Sequence, residues 1–136
     1  MTDSNPGVGA IGWVDLTVTD AELLRDFYGA VAGWRAEPVP MGGYDDFVMA
    51  RAGGEAAAGI CHARGTNAGL PAQWLIYIVV ADLEVSLAEC RARGGRVVRE
   101  PRGAGASRFA IIEDPAGAVA ALSQAANSPI QPSPPG

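Results

Sequence analysis

The chain has 136 residues, 49% of them hydrophobic and 18% charged, which suits one globular domain that buries its core without a disulfide or metal staple. Ten basic residues against fifteen acidic ones leave a net charge of −5, a poor basis for neutralising the phosphates of a nucleic acid. Every basic residue is Arg, and a chain without Lys cannot run Schiff-base, pyridoxal or P-loop chemistry.

The polar, Gly- and Pro-containing residues 1–8 read as a flexible N-terminus, and since MTDSNPGVGAIGW (1–13) has neither a charged region nor an apolar stretch, no signal peptide is expected. No apolar run approaches the ~18 residues of a membrane span, so no membrane partner is expected. Two cysteines, Cys61 and Cys90, and one histidine, His62, supply neither a zinc ribbon nor a paired-His site. A cytoplasmic protein with reduced thiols is the expectation.

A strand is predicted over 11–18, followed by a helix capped by Asp20, with Leu24, Phe27, Tyr28 and Val31 at helical spacing and Gly33 as its stop. Strands near 34–39, 46–52 and 56–62 complete a first βαβββ module, 9–62. After a connection at 63–72, the pattern returns over 73–124: a strand at 74–80, a helix from Asp82 to Arg93 ended by Gly94-Gly95, then strands near 96–99, 108–113 and 118–123, the last two joined by the turn Asp114–Gly117. The two modules superpose without a gap at an offset of 62, matching Asp20 with Asp82, Glu22 with Glu84, Gly33 with Gly95 and Phe47 with Phe109. The Pro-rich residues 125–136 read as a flexible tail.

This duplicated module resembles the vicinal oxygen chelate superfamily of glyoxalase I, the bleomycin-resistance proteins and the extradiol dioxygenases. The wording WVDLTVTDAELLRDFYGAVAGW, VVADLEVSLAECRARGG and EDPAGAVAALSQ resembles that superfamily's opening strand and helix, second helix and closing hairpin. The resemblance implies an α+β fold of tandem modules whose curved mixed sheets surround a concave cavity. It also implies a divalent metal held by the first and last strands of each module. The matching positions here are Trp13, Gly59, Leu75 and Ala121, none with a donor atom, so no metal and no cofactor is expected.

Strand alternation sets Trp13, Asp15 and Thr17 on one face and Val14, Leu16 and Val18 on the other, the aliphatic face toward the helix. In the second module Leu75, Tyr77 and Val79 share the first face, which makes Asp15 and Tyr77 repeat mates. An acid among Trp, Val and Leu is costly to bury without a partner, so Asp15 reads as a ligand-orienting carboxylate or general base, or else as an acid at a solvated cleft mouth. Tyr77 reads as a hydrogen-bond donor to a ligand, or as aromatic packing. His62 reads as structural or as a proton donor, and on its strand it points away from Cys61. Cys90 reads as core. The loop 41–47 offers Tyr44 for stacking and Asp46 as an acceptor, or is a solvated turn. Arg64, Asn67, Gln73 and Trp74 can reach a cleft rim, and Arg108 alone among the six arginines of 91–108 reads as a ligand contact.

The leading expectation is a metal-free binder of a small organic molecule, its cleft lined by Trp13, Tyr44, Trp74 and Tyr77, with Asp15, Asp46, His62, Gln73 and Arg108 as polar contacts. The alternative is a metal-independent lyase, isomerase or hydrolase with Asp15 as base and Tyr77 or His62 as acid. A third is a metalloenzyme with a relocated site at Asp15, His62 and Glu113. Open sheet edges, together with the resemblance, point to a homodimer.

Overall fold

The computed structural model describes residues 7–64, 68–103 and 108–125. The expected flexible ends, apart from Gly7, Val8 and Ala125, lie outside the described residues, as does Asn67. Among the described residues the elements run β1 (Ile11–Val18), α1 (Ala21–Ala32), β2 (Arg35–Pro40), β3 (Asp45–Ala50), β4 (Ala56–His62), β5 (Trp74–Val80), α2 (Leu83–Ala92), β6 (Arg96–Arg102), β7 (Phe109–Glu113) and β8 (Val119–Gln124). This is the α+β, twice-repeated βαβββ order. The chain packs as two compact units: residues 13–75, and residues 76 onward together with the N-terminal residues up to 12.

Local chemistry explains both helices. Asp20 Oδ1 accepts the backbone N–H of Leu23, and Asp82 Oδ1 those of Glu84 and Val85, so each helix starts on an aspartate cap. Gly33 closes α1 at φ 76°, a left-handed conformation that a side chain disfavours.

In the first unit β2, β3, β4 and β1 lie in that order, with β1 and β4 parallel and the other pairs antiparallel. β2 carries Pro38 and Pro40 and pairs on one side with β3, an outer position that tolerates a missing N–H. The helix-side core is Ala21, Phe47, Met49 and Ile60, with Val18, Leu24, Tyr28, Trp34, Ala36 and Trp74 against it. Met49 and Ile60 are fully buried, and each such side chain contributes about 1.5–3 kcal/mol.

The second unit repeats the plan with β5, β8, β7 and β6. Its core is Leu83, Leu87, Ala110 and Leu122, flanked by Ile78, Val80, Val97 and Ile112. The parallel registers are the same once advanced by 62: Asp15 faces Gly59 and Leu16 faces Ile60 in one unit, Tyr77 faces Ala121 and Ile78 faces Leu122 in the other. Residues 7–12 join this unit through backbone bonds, Gly9 N–H donating to the Val79 carbonyl (2.7 Å) and Val79 N–H to that of Ala10 (2.9 Å). Among the described residues no helix is long and apolar enough to cross a membrane.

Candidate functional site

The sheet face of the first unit that points away from the core cluster is built by alternation from Trp13, Asp15 and Thr17 of β1, Gly59 and Cys61 of β4, and Asp46 of β3. Gly59 is where the backbone matters most. A Cβ there would stand 3.1 Å from Asp15 Cβ and 3.4 Å from Trp13 Nε1 and Cζ2. The indole therefore stands within van der Waals contact of a side chain at position 59, and the tighter approach there is that of Asp15. Beside it Asp15 is 9% exposed and Thr17 7%.

Cys61 sits between two acids on this face. Burial, then the charges of Asp15 and Asp46 and a hydrogen bond with Asp46, push its thiol up to about 12. A thiol held protonated is a donor and not a nucleophile.

His62 lies on the other side of β4, where first-turn residue Glu22 of α1 reaches it. Its Nε2 is 3.1 Å from Glu22 Oε1, and its Nδ1 is 3.3 Å from Asp46 Oδ1, which also accepts the His62 backbone N–H at 2.9 Å. The ring is 6% exposed and meets Tyr44 edge-on at 5.2 Å, while the Arg64 guanidinium lies 4.1 Å over Tyr44. The bond from His62 is the main cause that holds the Glu22 carboxyl below its ordinary range. Both ring nitrogens are thus occupied by protein, and Tyr44 and Asp46 serve the same cluster.

The remaining candidates disperse. Trp74 packs edge-on to Tyr28 and Trp34 in the helix-side core, and its Nε1–H donates to the Tyr28 hydroxyl at 3.2 Å. Arg108 pairs with Glu84 of α2 at 2.5 Å. Tyr77 lies on the second unit's sheet opposite Ala121, its ring 5.5 Å from Phe109. Gln73 is half-buried at the entry to β5. Glu113 pairs with Arg96 at 2.5 Å. Cys90 is half-buried on α2, at the wall of a cavity of about 230 Å³ with Ile112, Pro115 and Leu122. Residue types alone did not mark Glu22 and Cys61 as site-forming groups. The repeat match of Glu22 with Glu84 carried a signal for the first of these.

A glyoxalase-like domain model matches residues 13–123. The chain belongs to the glyoxalase-like domain family. It is 37% identical over 121 residues to the putative glyoxylase CFP32 of Mycobacterium bovis, covering 86% of this chain and 46% of the relative. It is 28% identical over 135 residues to the anthracycline biosynthesis protein DnrV of Streptomyces peucetius, covering 90% of this chain and 48% of that protein. The chain thus spans about half the length of these curated relatives. Among solved structures, Streptomyces coelicolor methylmalonyl-CoA epimerase in complex with 2-nitronate-propionyl-CoA superposes with a TM-score of 0.56 at 19% identity, over 89% of this chain and 100% of the epimerase. The epimerase from Mycobacterium tuberculosis gives 0.53 at 21% identity, over 90% and 93%. At these identities the likeness shows the vicinal oxygen chelate fold alone.

The metal of that superfamily does not fit the residues present. Indole, hydrogen, isobutyl and methyl groups stand at Trp13, Gly59, Leu75 and Ala121, and none donates an oxygen, nitrogen or sulfur lone pair to a divalent ion. Among the described residues no three His, Cys, Asp or Glu side chains are grouped to hold a metal.

Proposed function

We propose that this member of the glyoxalase-like family binds a small organic molecule without a metal, on the sheet face that carries Trp13 and Asp15. One observation carries the reading: a nine-tenths buried carboxylate stands beside an indole that lies next to Gly59, where the fold's metal ligands would lie. Trp13 offers a π-face to an apolar or aromatic ligand, and Asp15 selects a hydrogen-bond donor or a cation. The names of the relatives, a glyoxylase and an anthracycline biosynthesis protein, support a small organic molecule as what is bound. Tyr77, the repeat mate of Asp15, would contribute a second polar contact. A cytoplasmic location and pairing of two copies belong to the same reading.

The test is a fluorescence and thermal-shift screen of small aromatic and amine-bearing molecules, followed by mass analysis of each recovered hit. Binding that weakens tenfold or more in both Trp13→Ala and Asp15→Asn, with the hit unchanged, supports the reading. A hit returned chemically altered, with Asp15→Asn stopping the change while affinity persists, establishes instead a metal-independent enzyme with Asp15 as base.

A further inference from the structure

A cavity of about 230 Å³ opens on the helix side of the second unit, between α2 and the β7–β8 hairpin. Its walls are Ser86 and Cys90 of α2, Ile112 and Leu122 of the sheet, and Pro115 of the turn, so the lining is almost wholly apolar. Glu89 and Arg93 stand at the mouth as an exposed ion pair at 2.9 Å.

The first unit shows what fills the same place. At the offset of 62, Ser86 and Cys90 match Leu24 and Tyr28, and the aspartate caps set both helices in one register. Leu24 and Tyr28 pack on the helix-side core there, and the Tyr28 hydroxyl accepts the Trp74 Nε1–H at 3.2 Å. The sheet beneath is sealed: Met49, opposite Ala58, is 0% exposed. In the second unit Ile112 lies opposite Ala120, the repeat mate of Ala58, and is only half-buried. A serine and a cysteine thus stand where the first unit has a branched chain and a phenol ring. The cavity is the room those two side chains take up, in a fold whose interior is otherwise close-packed.

The chemistry of the walls selects the occupant. An apolar cavity of about 150 Å³ takes up benzene, and this one is larger. A ring placed here regains for Ile112 and Leu122 the contacts that Met49 and Ile60 have in the first unit. The polarizable sulfur of Cys90 suits an aromatic neighbour. Glu89 and Arg93 neutralise each other at the mouth, which favours a neutral molecule, and the Ser86 hydroxyl offers one polar contact to a substituent.

We infer that the cavity between α2 and the β7–β8 hairpin is a binding site for a small, neutral, single-ring aromatic molecule of the phenol class. It shares no residue with the face at Trp13 and Asp15, so the two sites stand or fall separately.

Proton–nitrogen NMR shift mapping of the full chain titrated with phenol tests it. Amides within 86–95 and 110–114 should shift saturably, with a dissociation constant on the order of 0.1–1 mM, the scale for so few atoms. Cyclohexanol, close in size but without the aromatic face, should bind at least about fivefold more weakly. Ser86→Leu and, separately, Cys90→Tyr restore the first unit's side chains and should each weaken phenol roughly tenfold or more by filling its place. Circular dichroism melts show which variant folds; one folded variant suffices, and the wild-type shift map decides if neither does. No saturable shift up to about 10 mM, or shifts centred elsewhere, overturns the site. So does an affinity indifferent to a folded variant, or binding that appears only once residues 126–136 are removed, which gives the cavity to the chain's own C-terminal residues. Cyclohexanol binding as well as phenol overturns the aromatic class.

Discussion

His62 and Gln124 hold the same place in the two repeats, each at the end of its unit's last strand, and each ties that strand to the start of the unit's helix. His62 faces Val18 in register and reaches Glu22; Gln124 faces Val80, accepts the Leu83 N–H at 2.9 Å and donates to the Ala81 carbonyl at 2.6 Å. The charged partners repeat as well. Glu22 and Glu84 are mates, as are Asp46 and Arg108, and one pair converges on His62 while the other bonds directly. Position 62 is thus a helix tie before it is anything else.

His62→Gln should therefore be tolerated, with a stability loss under about 1 kcal/mol, since an amide does this work in the second unit. His62→Ala strips two carboxylates and a buried pocket of their partner and should cost about 1–3 kcal/mol. Urea unfolding of the two variants checks the split.

The Glu22 tie also sets an acid response. His62 holds the Glu22 carboxyl below its ordinary value of 4.5 in the folded chain, so the folded state favours the ionised form. The stabilisation is present above pH 4.5 and is lost as pH falls through the lower folded value. Glu22→Gln should melt below wild type at pH 7, and the two melting curves should converge in the acid range. Thermal melts from pH 7 down to pH 3 show whether the gap closes in that direction.

Cys61 should resist alkylation. A thiol at about 12 against an ordinary 9.0 carries on the order of a thousandfold less thiolate near pH 8. In a Cys90→Ser background, iodoacetamide labelling should be slow, and Asp46→Asn should speed it by removing one of the charges and the bond that hold the proton. Labelling at the rate of free cysteine would contradict the geometry of this face.

Gly59→Ala should disturb Trp13. The added methyl meets Asp15 Cβ at 3.1 Å, a tight approach, and the indole at 3.4 Å, an ordinary contact, so β1 must give by a few tenths of an ångström at Asp15. A loss of about 1–2 kcal/mol and a change in tryptophan emission are expected. Trp13→Ala in the same chain should recover little of the stability, because the tight contact is with Asp15 Cβ, and a double-mutant cycle reads that coupling directly.

Elemental analysis of the purified chain should find no stoichiometric zinc, nickel, manganese or iron, because the four strand positions lack donors. Gly59→Glu with Trp13→His restores two of them in one unit, and any metal it gains should be absent from wild type.

Much of this was legible in the sequence, and for local reasons. Aspartate caps, the Gly33 stop and strand alternation act within a few residues, so element order and the two helix-facing stripes followed from spacing; the offset of 62 then reappeared unchanged in the strand registers. The missing donors at Trp13, Gly59, Leu75 and Ala121 were equally plain, since a donor is a property of residue type. What only the tertiary structure decided was partnership. His62 finds Glu22 forty residues back, Trp74 finds Tyr28 forty-six back, and Arg108 finds Glu84, each pulling a residue expected at a cleft into the support of its own unit. The close approach of Trp13 to Gly59 belongs to the same class. Side-chain partners across strands depend on register, rotamer and the room left by neighbours, which no spacing along one chain segment encodes.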